Sequence, residues 1–127
     1  MKKVFLASLF VLLPMSALAQ TESSPARKAG VCYAALSLQS PQPTGELQKR
    51  SEFTKHQALW DKSFNQCRQQ GVDPANAQAF KSCMSSNGIS NNTFEYMAGY
   101  INTSSFIKKN RPPNSEIGAM AVSYCTF

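Results

Sequence analysis

The chain has 127 residues, 13 basic and 7 acidic, and its 43% of hydrophobic residues is ordinary for a globular protein. Lys2 and Lys3, the uncharged apolar run Val4 to Leu13, and Ala17-Leu18-Ala19 have the layout of a secretory signal peptide, so residues 1–19 are expected to be removed. That run is too short for a bilayer-spanning helix, which needs about 20 apolar residues. The 108 residues left after the cut suffice for one small domain and not for two, which excludes a multidomain enzyme and a polytopic membrane protein.

The Met-Lys-Lys start and Ala-x-Ala cut are bacterial in type, so the expected destination is the periplasm or the exterior. Gln20 follows the cut, so no cysteine stands there to take a lipid. Loss of Lys2 and Lys3 leaves 11 basic residues against 7 acidic, a net charge of +4. The basic residues are dispersed except at Lys108, Lys109 and Arg111, without the basic face and interleaved aromatics of a nucleic-acid binder. An acidic protein partner or an anionic envelope surface suits this charge.

Cys32, Cys67, Cys83 and Cys125 all lie in the mature part. An even count in a small exported chain reads as two disulfides. A metal site would need a close pair such as Cys-x-x-Cys, and the nearest two cysteines are 16 positions apart. Three connectivities are open to four cysteines. The expected pairs are Cys67–Cys83, on consecutive helices, and Cys32–Cys125, which would tie the first helix to the last. In a straight hairpin turning near residue 72, Cys67 falls about 9 Å short of Cys83 at about 1.5 Å per residue, so crossed helices would have to close the gap.

In chain order, residues 20–28 read as a flexible arm, and a domain of residues 29–127 follows. The apolar stretch Ala29 to Leu38 suggests a short buried helix, ended by Ser40-Pro41-Gln42-Pro43-Thr44-Gly45. Phe53, Trp60, Phe64 and Cys67 fall on one stripe of a long helix from about Glu46 to Gln70, with Gly71 as its C-terminal cap. Asp73-Pro74 reads as the N-cap and first residue of a helix to Ser86 that buries Ala77, Phe80, Cys83 and Met84. The next helix runs from Asn92 or Thr93 to Lys109, and Ser115-Glu116 opens a last one after Arg111-Pro112-Pro113. The expected fold is all-α, a small bundle of four to five helices stapled by two disulfides.

Catalytic signals are sparse. The single histidine, His56, has Glu52 one turn before it and reads as half of an exposed pair. No serine sits in a Gly-x-Ser-x-Gly elbow, and Glu46, Glu52, Asp61 and Glu95 have no spacing that argues for a shared cleft. The expectation is no catalytic residue, no metal and no cofactor. Tyr96, Tyr100, Lys108, Lys109 and Arg111 form the expected contact surface, since amphipathic aromatics and Arg are enriched at interfaces. The functional expectation is a non-catalytic exported protein that binds a protein partner in the envelope, immunity-like or inhibitor-like, with an envelope-acting enzyme as the partner in view. A small helical carrier of an apolar or amphipathic ligand, or an accessory protein of a secretion or conjugation machine, are the alternatives.

Overall fold

The computed structural model describes residues 24–125, all of whose regular structure is helical. The signal-peptide reading of residues 1–19 and the start of the expected arm lie outside them. Five helices follow in order: α1 Pro25–Leu38, α2 Thr44–Gln69, α3 Ala77–Ser86, α4 Asn91–Asn110 and α5 Asn114–Cys125. The all-α bundle with two disulfides is the expected fold.

Residues 25–28, expected in the arm, instead form the first turn of α1. Ser24 caps that turn, accepting from the Arg27 amide at 3.1 Å, and Pro25 takes the first helical position, where its missing N–H is no loss. Arg27 then pairs with Glu95 of α4 at 2.9 Å, which fixes the turn to its neighbour. Seven consecutive residues of α1, Gly30 to Leu36, are buried. A helix covered on every side is the centre of its fold.

That centre is held by close contact of backbones. α1 packs along α4 and also against α5. A Cβ added at Gly30 would lie 1.9 Å from the Tyr96 carbonyl oxygen, and one at Gly99 would lie 2.3 Å from that of Arg27. Only glycine lets the two helices approach so closely. Around this contact lie Tyr33, Tyr96 and Met97, with Phe53 and Tyr100 packed against them. Toward the far end of α1, Cys32, Ala35 and Leu36 meet Ile107, Ile117 and Ala121. The Cys32–Cys125 disulfide spans 93 residues there and closes α5 onto α1.

α2 and α3 form a hairpin with its own apolar cluster of Cys67, Phe80, Met84 and Ile89, against which Trp60 and Phe64 pack. Asp73 and Pro74 are not the start of α3. Asp73 accepts from the Ala75 amide at 2.9 Å in a turn, and Asn76 caps α3 by accepting from the Ala79 amide at 3.2 Å. The connection is therefore longer than Gly71-Val72: it runs over residues 70–76 and centres on residue 73, which shifts the position facing Cys67 only from about residue 77 to about residue 79. Cys67 and Cys83 nonetheless bond, with their Cα atoms 5.9 Å apart. Both expected disulfide pairings are present.

The steric argument predicts opposite signs at two helical glycines. Gly30→Ala drives a methyl group into backbone and is expected to destabilise the protein by about 3 kcal/mol. Gly45→Ala in α2 meets nothing within 4 Å. It is expected to stabilise by about 0.5 kcal/mol. Denaturant midpoints at constant slope measure both, and equal shifts would contradict the packing account.

Candidate functional site

Three of the five residues expected in the contact surface are exposed: Lys108, Lys109 and Arg111, at the C-terminal end of α4. Tyr96 is not, with only 1% of its surface accessible. Its ring stacks on His56 at 4.3 Å and its hydroxyl, buried without a hydrogen-bond partner, is pushed well above the usual phenol range by burial. Tyr100 is half-buried, its ring 4.5 Å from that of Phe53. Both tyrosines face inward because α4 is flanked by α1 on one side and α2 on another. A polar-tipped aromatic at helical spacing was therefore a core residue.

Two polar clusters join α2 to the rest of the molecule. In the first, Glu46 is buried at 2% exposure in the opening turn of α2. Its carboxylate accepts from Arg50 Nη2 at 2.6 Å, from Arg50 Nε at 3.0 Å, and from the Tyr33 hydroxyl. The bidentate Arg50 guanidinium and the Tyr33 hydroxyl hold this carboxyl below the usual range. Burial, reinforced by Glu46, pushes the Tyr33 phenol up to about 12. Glu46 and Glu95 are thus both engaged by arginines.

The second cluster centres on His56, which is buried at 8% exposure and not the surface residue expected. Its Nδ1 lies 2.9 Å from Thr93 Oγ1 on α4, and its Nε2 lies 3.9 Å from the expected partner Glu52. The order hydroxyl, imidazole, carboxylate is that of an activated nucleophile. Here 3.9 Å exceeds hydrogen-bond distance, and the Thr93 hydroxyl is buried in the first turn of a helix. As placed, the three groups clasp α2 to α4. Thr93 carried no signal in the sequence, because a threonine three residues after the α4 cap is unremarkable until the fold sets it against His56.

Two open depressions flank the clasp and share Glu52, His56 and Asn92. One, of about 220 Å³, is bounded on its far side by Pro25, Ala26 and Ala29 of α1 and by Tyr96. The other, of about 650 Å³, runs along α2 past Ser51, Lys55 and Leu59. Among the described residues, no three His, Cys, Asp or Glu side chains are grouped to hold a metal ion, and no helix is long and apolar enough to cross a membrane. No family model, curated protein or solved structure matches the chain.

His56 carries a pH dependence whose sign is fixed by its burial. Burial lowers its pKa from the ordinary 6.5, Glu52 opposing the shift and Lys55 adding to it. The unfolded chain therefore takes up a proton, as pH falls through 6.5, that the folded one refuses. Stability should be full above neutrality and decline as pH falls below 6.5. The losses from Glu46 and Glu95, whose pKa values are lowered from 4.5, come only on further acidification. Melting temperatures across this range should fall for the native chain and change less for His56→Gln. Coincident slopes would remove His56 as the cause.

Proposed function

We propose that the protein is an exported, non-catalytic binding protein that engages a protein partner in the bacterial envelope, in the manner of immunity proteins and enzyme inhibitors. The observation that carries the reading is the state of α2. Of its 26 residues only Glu46, His56, Ser63 and Cys67 are buried. Leu47 and Leu59 stand 62% and 47% exposed on its outer side, and the larger depression runs beside Leu59. A long helix that spends so little of its surface on its own fold is suited to spend it on another chain. The exposed lysines of that helix and the excess of basic residues favour an acidic partner.

Compartment and chemistry point the same way. Two formed disulfides suit an oxidising environment, as the signal-like N-terminus requires. The single histidine is occupied in joining helices, and two of the carboxylates, Glu46 and Glu95, are occupied by arginines. The basic end of α4, Lys108, Lys109 and Arg111, is a second exposed feature that would steer association more than hold it.

The test is retention of a periplasmic protein by the immobilised mature chain, followed by affinity measurement with variants. Leu59→Glu should weaken binding at least about tenfold while leaving the helical circular dichroism unchanged. Undiminished binding by Leu59→Glu and Leu47→Ser would remove α2 as the contact face. A turnover activity abolished by His56→Ala would replace the binding reading with an enzymatic one.

A further inference from the structure

The turn between α3 and α4 contains Asn87 followed by Gly88. In an Asn-Gly pair the next amide nitrogen is unscreened by any side chain and can attack the asparagine's own amide carbon. The folded protein withholds both reactants. Asn87 Nδ2 donates to the Cys83 carbonyl at 2.9 Å and lies 3.4 Å and 3.5 Å from the sulfurs of Cys83 and Cys67. Its Oδ1 accepts from Gln70 Nε2 at 3.1 Å. The Gly88 amide donates to the Ser85 carbonyl at 3.1 Å, with Gly88 itself at φ 96°. Cyclisation would have to break all of these at once.

Most of the restraint runs through one covalent bond. Two of the groups around the Asn87 amide are the sulfurs of the Cys67–Cys83 disulfide, a third is the Cys83 carbonyl, and Gln70 stands three residues beyond Cys67. We propose that Asn87 is a deamidation site gated by the Cys67–Cys83 disulfide. A dithiol reductant opens the bond by exchange, becoming a disulfide itself and leaving two thiols on the protein. The side-chain amide is then free, and the Gly88 nitrogen loses its proton and attacks Asn87 Cγ. A Cγ–N bond forms and ammonia leaves, carrying that proton. Water then opens the succinimide to aspartate or isoaspartate.

The product does not fit the site it came from. A carboxylate at position 87 sets acceptor against the Cys83 carbonyl, and the isoaspartyl form lengthens the backbone between α3 and α4 by one carbon. The hairpin therefore keeps a covalent record of having been reduced, and re-oxidation alone does not restore it.

Three forms of the full mature chain test this by peptide mapping of residue 87 during incubation at mildly alkaline pH: the intact protein, Cys67→Ser/Cys83→Ser, and Cys32→Ser/Cys125→Ser. Residue 87 should convert at least about tenfold faster in the first double variant than in the intact protein. It should stay slow in the second, which loses the longer staple and keeps the hairpin's own bond. Equal rates in the two double variants would assign the gating to general loss of stability and overturn the proposal. Conversion of the intact protein as fast as Cys67→Ser/Cys83→Ser would do the same.

Discussion

Backbone contact between α1 and α4 at Gly30 and Gly99 is the constraint from which the rest of the structure follows. It brings the two helix axes so close that α1 is covered for seven residues in succession. With the main chains in contact, the side chains on either side must find room elsewhere. Tyr33 and Tyr96 are directed toward α2, and Cys32, Ala35 and Leu36 toward α5. The Cys32–Cys125 bond then prevents α5 from leaving. In the chain-entropy account a closed loop of 93 residues is worth about 4.7 kcal/mol, against about 3 kcal/mol for the 16-residue hairpin loop. The larger share thus falls on the helix-to-helix unit that the glycines create.

α2 is held differently. Its links to α1 and α4 include the Glu46–Arg50–Tyr33 cluster, the His56–Thr93 contact, and the ring contacts of Phe53 with Tyr33 and Tyr100, of His56 with Tyr96 and of Trp60 with Phe94. Hydrogen bonds and charge pairs of this kind specify position more than they add net stability, because each replaces good contacts with water. A few aromatic contacts and a disulfide at its far end complete the attachment. The molecule therefore joins a tightly packed support, α1, α4 and α5, to a long helix whose outer side is largely open. Those are the two parts a small binding protein needs, a rigid frame and a surface not consumed by its own fold.

The helices were legible because their apolar residues recur every three or four positions and because Pro, Gly and Asn mark the breaks. The disulfide pairing followed from which cysteines lay on adjacent and on terminal helices. The errors share a cause. Asp73-Pro74 and Asn76 are all acceptable helix starts, and only packing of Phe80 and Met84 decides which is used. Tyr96 and His56 looked like surface residues because one has a hydroxyl and the other a carboxylate one turn away. The fact that buries them is the presence of a helix on both sides of α4, which rests on Gly30 and Gly99. Glycine in a helical stretch announces a weak spot and only in the fold becomes a point of closest approach. The Glu46–Arg50 spacing, by contrast, was readable as a same-face pair, although its burial was not.

The central claim is that stability is divided unequally, with α1 and α4 forming the support and α2 the lightly anchored face. Native-state hydrogen exchange followed residue by residue measures that division directly. Amides of α1 from Val31 to Leu36 and of α4 from Met97 to Thr103 should exchange only through global unfolding. Those of α2 from Gln48 to Leu59 should exchange through a smaller opening, at least about tenfold faster. Protection of α2 equal to that of α1 would show a uniformly cooperative bundle and contradict the account.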